Sequence, residues 1–94
     1  MEDNQLARHI SALKRARQNK KRHLRNQSRK TRVKGVVRDV RLALTQKDAA
    51  GAESALAKAV PVIAQVAGKG TLHWRTAARK ISRLTRQVNA LKSA

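Results

Sequence analysis

The chain has no cysteine, so disulfides and thiolate metal sites are excluded. It has no phenylalanine and no tyrosine, and Trp74 is its one aromatic residue. A core must therefore be built from Ala, Val, Leu and Ile. The scarcity of rings also argues against single-strand nucleic-acid readers that stack bases on the exposed rings of a sheet. One proline and four glycines leave little to interrupt regular structure. The longest apolar run, residues 59–64, is far too short to span a bilayer, and the first thirty residues carry no apolar stretch resembling a secretory signal. A cytoplasmic protein is expected. Acidic residues are scarcest of all in relation to their opposites: five Asp and Glu stand against 23 Lys and Arg, for a net charge of +18.

That charge is unevenly placed. Residues 1–44 carry +11, residues 45–68 are neutral, and residues 69–94 carry +7. Between positions 14 and 34, eleven of twenty-one residues are basic, and no acid occurs between Asp3 and Asp39. Such a run cannot be neutralised from within and calls for a polyanion, which points to nucleic acid. A solvated face or disordered basic tail is the plainer alternative, but it leaves the missing acids unexplained.

Abundant Ala, Leu, Arg, Lys and Gln favour helix throughout. The chain is long enough for one domain. The expected fold is all-α: a three-helix antiparallel bundle with a long, basic first helix extending beyond it. The first helix spans about residues 6–44, with Asp3 or Asn4 as cap. Its apolar stripe begins with Leu6, Ile10 and Leu13, nearly vanishes over residues 14–32, and returns as Val33, Val37, Val40 and Leu44, widened by Val36 and Ala43. Gly35 is tolerated within it, with a bend allowed for. The second helix, about residues 49–67, starts behind Asp48 as cap, places Leu56, Val60, Ile63 and Ala67 on one face, kinks at Pro61 and stops at Gly68. The third, about residues 72–92, has Thr71 as cap and the repeat Ala77, Ile81, Leu84, Val88, Leu91, with Arg75, Arg79, Lys80, Arg83 and Arg86 on its other faces. At ~1.5 Å per residue the first helix is about 58 Å long and the others about 30 Å, so only the part around residues 33–44 can be covered. The core is small and the self-repulsion large, so the free protein is expected to be marginally ordered.

On a helical wheel Lys14, Lys21, Arg25 and Arg32 cluster, with Arg22 and Arg29 beside them and Arg15 and Arg17 at the edges. Lys20, Lys30 and Lys34 lie on the far side. A helix charged nearly all round suits insertion between several nucleic-acid segments. Asn19, Asn26, Gln27, Ser28 and Thr31 interleave and can donate to phosphates or ribose hydroxyls. His9 and His23 are about 21 Å apart along one helix and cannot share a metal. With few acids and no glycine-rich phosphate loop, no catalytic constellation exists, and no cofactor, metal or small-molecule substrate is expected. Residues 14–32 offer no apolar face for a membrane. The remaining classes are an RNA-binding structural protein, a DNA-compacting architectural protein, and a module for an acidic protein partner.

The stretch Ser11-Ala12-Leu13-Lys14-Arg15-Ala16-Arg17-Gln18-Asn19, continuing through Lys21-Arg22 and Arg25-Asn26 to Lys30-Thr31, resembles the opening of the bacterial small-subunit ribosomal protein S20 family. Lys69-Gly70-Thr71-Leu72-His73, Ala77-Ala78-Arg79-Lys80 and Ser82-Arg83-Leu84 resemble its C-terminal signature, in the same order and spacing. The resemblance implies a three-helix protein that binds 16S rRNA directly, joining its 5′ domain to the 3′ minor domain early in assembly. Other small-subunit components would be further partners. Carried over by position, it implies RNA contacts at Lys14, Arg15, Arg17, Lys20, Lys21, Arg22, Arg25, Asn26, Arg29, Lys30, Arg32 and Lys34. A second patch would hold Lys69, His73, Arg75, Arg79, Lys80 and Arg83. The chain departs from the family pattern at Trp74, Arg75 and Ile81, where Lys, Asn and Lys are usual. Periodicity places Trp74 and Ile81, seven residues apart, on the core side, while the resemblance implies a rim facing solvent or RNA; the rim of the core is expected for both, with stacking of Trp74 on RNA as the competing expectation.

Overall fold

The structure, a computed structural model, describes residues 2–94, with side chains from Asn4 onward. Three helices make up nearly all of it: α1 (Glu2–Thr45), α2 (Ala49–Gly68) and α3 (Trp74–Ser93). The expected all-α architecture and the long first helix are both present. The cap expected of Asp3 lies outside the described side chains, and Asn4 lies within α1.

Helix α1 runs unbroken through Gly35, and α2 runs through Pro61. The turn between them is built from backbone geometry. Lys47 takes a left-handed conformation, φ 55°. Its N–H donates to the Leu44 carbonyl (3.1 Å), and the Asp48 N–H donates to the Ala43 carbonyl (3.0 Å). This pair of bonds is the Schellman arrangement, which satisfies the last carbonyls of a helix. Asp48 then opens α2 as expected: its Oδ1 accepts the Gly51 N–H at 3.0 Å. The chain reverses within three residues, so α2 runs back antiparallel along α1.

At the far end α2 finishes at Gly68, as the sequence suggests, but the left-handed residue is Gly70, φ 79°. The expected cap Thr71 does not cap α3. Its hydroxyl donates to Asn26 Oδ1 (3.0 Å) and accepts from Arg29 (3.2 Å), tying the turn to α1. His73 takes over, its Nδ1 accepting the Arg75 N–H at 3.1 Å. Helix α3 therefore starts at Trp74, two residues later than expected. Its far end returns to the start of α2, where Lys92 pairs with Glu53 at 3.1 Å.

The core is a single seam of small aliphatics: Val33, Val37, Val40 and Ala43 from α1; Ala52, Ala59, Ile63 and Val66 from α2; Ala77, Leu84 and Val88 from α3. The stripe expected of α3 and the Val33–Leu44 part of the one expected of α1 are observed, with Leu44, Ile81 and Leu91 partly buried at their edges. Leu6, Ile10 and Leu13, the expected start of the α1 stripe, are instead exposed, because neither α2 nor α3 reaches them. The stripe of α2 is turned by about 60° from the expected one, at 3.6 residues per turn. Ile63 is shared, but Leu56, Val60 and Ala67 flank the seam, which passes through Ala52, Ala59 and Val66. The reason is position: α2 lies between α1 and α3, and its alanines let both neighbours approach. Trp74 departs further. It is 65% exposed, not at the core rim, because α2 has ended before reaching it.

The molecule measures 74 × 21 × 15 Å, with a radius of gyration of 20.1 Å. A compact domain of this length would have about 12 Å. The excess belongs to α1, whose 44 residues are about 66 Å long against about 30 Å for each partner. Its first half projects beyond the bundle.

Candidate nucleic-acid interface

Every side chain from Asn4 to Ser28 is exposed. Within that projection Lys14, Arg15, Arg17, Lys20, Lys21, Arg22 and Arg25 point outward in all directions. Lys30, Arg32 and Lys34 continue the exposed charge alongside the bundle. None of them has an acidic partner among the described residues, where the single ion pair is Lys92–Glu53. That pair is solvent-exposed and contributes little to stability. Asp48 is engaged as a helix cap, and Asp39 sits on the α2 side of α1 beside Ser54 and Lys58. The fields of the basic groups therefore add without internal cancellation.

Two of the expected contacts have a different first allegiance. Arg29 is half-buried and donates to Thr71 (3.2 Å) and to Asn26 Oδ1 (3.4 Å). Asn26 also accepts from the Thr71 hydroxyl. The three residues form a clasp that places the turn holding Lys69 and His73 against the base of the projecting helix. Segments 45 residues apart in sequence thus become one continuous basic surface.

The second patch is divided by the curvature of α3. Lys69, His73, Arg75, Arg79 and Arg83 are exposed. Arg79 and Arg83 share an outward hollow with Ala78, Ser82 and Arg86. Lys80 turns the other way. It closes one side of an open groove of about 440 Å³ between α1 and α3, whose other wall holds Lys34, Arg38 and Arg41. Val33, Val37 and Leu42 supply apolar surface there. A smaller hollow of about 200 Å³ joins Lys30, Lys34 and Lys80 over Val33, Val66 and Leu72. Arg38 and Arg41 were not among the residues singled out from sequence, because their segment was assigned to the core. The signal was present: 34, 38 and 41 follow helical steps on the side away from Val36 and Val40.

Chemically this surface can do one thing well. Its guanidinium and ammonium groups can bind phosphate oxygens on several strands at once, with no acid to repel them. Among the described residues no cluster of His, Cys, Asp or Glu could hold a metal ion. Among the described residues no helix is long and apolar enough to cross a membrane.

Residues 7–89 match the family described as Ribosomal protein S20. The small ribosomal subunit protein bS20 of Nitratidesulfovibrio vulgaris (strain DP4) is 54% identical over 84 residues, covering 89% of this chain and 97% of that protein. The protein of the same name from strain DSM 19637 / Miyazaki F is 51% identical over 87 residues, covering 93% of this chain and all of that one. That of Syntrophus aciditrophicus (strain SB) is 52% identical over 85 residues, covering 90% and 96%. With nearly the whole length matched in both directions, the chain belongs to the ribosomal protein S20 family.

Proposed function

We propose that this protein binds 16S rRNA directly, wedging its projecting basic helix among RNA segments of the 5′ domain and the 3′ minor domain, and that it stabilises their packing during assembly of the small subunit. As a family member it is a structural ribosomal protein rather than an enzyme, and it acts in the cytoplasm. The observation that carries the finer reading is the projection itself. Residues 4–28 of α1 are exposed, with only Asn26 reaching the bundle through Thr71, and from Lys14 onward they are cationic on most sides, a shape that suits a crevice lined by phosphates more than one duplex face. The bundle supplies the second grip, through the turn at Lys69 and His73, the outer arginines Arg79 and Arg83, and the groove of Lys34, Arg38, Arg41 and Lys80. Binding of this kind releases counterions from the RNA and follows shape and backbone more than base identity.

Chemical footprinting of 16S RNA with the purified protein tests the reading. Protection of two separate patches, one in the 5′ domain and one in the 3′ minor domain, is the expected result. Protection confined to one domain would refute the bridging role. Equal displacement by duplex DNA would turn the reading toward a DNA-compacting protein.

A further inference from the structure

We infer that Trp74 is a stacking site for an unpaired nucleobase of the bound RNA, an inference that rests on the 16S reading and sharpens it. The ring is the only aromatic carbocycle in the chain, and it is 65% exposed. The helix it belongs to has a well-formed apolar face, with Ala77, Leu84 and Val88 buried, so the exposure does not reflect a poorly packed element. Trp74 lies one turn before that face meets α2, whose last residue is Gly68.

The exposed ring is nonetheless held. The His73 imidazole stacks on it with centroids 5.8 Å apart and planes 26° from parallel. His73 is itself fixed by the hydrogen bond that its Nδ1 accepts from the Arg75 N–H. The Arg75 guanidinium carbon lies 5.2 Å from the Trp74 ring centroid, within cation–π range. The stacked imidazole and the nearby guanidinium therefore steady the exposed indole, and less conformational freedom remains to be lost when a base joins it. The charged residues near it in sequence, Lys69, Arg75 and Arg79, are all cations. An apolar protein or lipid partner would have to desolvate them. A nucleotide does not: its base extends the stack while its phosphates meet the cations. The basic helices grip backbone without regard to base. Trp74 adds the one contact on this surface that requires a base to be unpaired.

The test uses the full-length protein and a 16S rRNA transcript, with affinity read by filter binding and the single tryptophan by its emission. Binding is expected to quench the emission. Trp74→Leu is expected to weaken binding by about 5- to 150-fold, as stacked bases do elsewhere, with the slope of log K against log salt unchanged because no phosphate contact is lost. Trp74→Phe should restore much of the affinity. Because the ring is exposed, both variants should melt at the parent temperature. Filter-retained RNA with unaltered emission, or a Trp74→Leu variant that binds like the parent, overturns the stacking while leaving 16S binding intact. Emission that responds only in the assembled subunit assigns the ring to a protein neighbour and overturns it as well. Absence of filter binding by the parent refutes the 16S reading itself.

Discussion

Single residues at the turns set how this bundle closes. Lys47 is the clearest case, since it occupies a left-handed position that an L-residue with a Cβ adopts at a cost of roughly 1–2 kcal/mol. Glycine removes that cost, though it loses more entropy on folding. Lys47→Gly is therefore expected to stabilise the bundle by about 0.5–1 kcal/mol, measured by urea or thermal unfolding of the free protein. An unchanged or lower midpoint would contradict the strained-turn account. Asp48 was legible in the sequence because its cap bond spans three residues. Thr71 was not, because the groups that claim its hydroxyl, Asn26 and Arg29, lie more than forty residues away. Local rules assigned a threonine before a helix to the cap; a distant pair outcompeted the local backbone for it. Trp74 shows the same limit. Its spacing from Ala77 and Ile81 is that of a core residue, and only the point where α2 stops decides otherwise.

At the scale of elements, the two halves of α1 differ in what holds them. Residues 33–44 gain from burial of Val33, Val37, Val40 and Ala43. Residues 4–28 bury nothing and set like charges at spacings of three and four, which opposes helix formation. Backbone amides of the projecting half are accordingly expected to exchange with deuterium far faster than those of residues 33–44 in the free protein, and to gain protection on binding 16S RNA. Equal protection along α1 without RNA would contradict this. The division was readable in part: the apolar stripe resumes at Val33 where the cover begins, but Leu6, Ile10 and Leu13 also follow core spacing and are exposed, since no partner helix reaches that far. The facing of α2 was not. A helix between two neighbours buries a wider arc than one stripe describes, and its contacts fall on alanines that a search for large apolar residues passes over. The core-assigned segment also concealed Arg38 and Arg41, since one helix can bury its valines and still present arginines on the reverse.

For the whole molecule, charge and shape act together. Eighteen net positive charges on a body 74 Å long and 15 Å thick leave almost every cation within reach of solvent or phosphate. The salt dependence of 16S binding measures how many are used, at roughly 0.7–0.9 in slope per phosphate contact. Replacing Arg38 and Arg41 together with Ala is expected to lower that slope by about 1.4–1.8, provided the groove they share with Lys80 holds phosphate. Lys58→Ala, on the Asp39 side of the bundle, should leave it unchanged. Equal slopes for the double variant and the parent would remove the groove from the interface.

The bare half of α1 also bears on the protein's life before it meets RNA. A segment rich in lysine and arginine, weakly held in its helix and shielded by nothing, is what a protease finds first. The small core behind it is slower to open. Bound as proposed, the helix would hide this stretch between phosphates, so limited trypsin digestion of the free protein is expected to cut first within residues 14–32 and the 16S complex to resist such cleavage. A wedge of this kind would tie the protein's lifetime to its assembly, and equal cleavage with and without RNA would contradict that coupling.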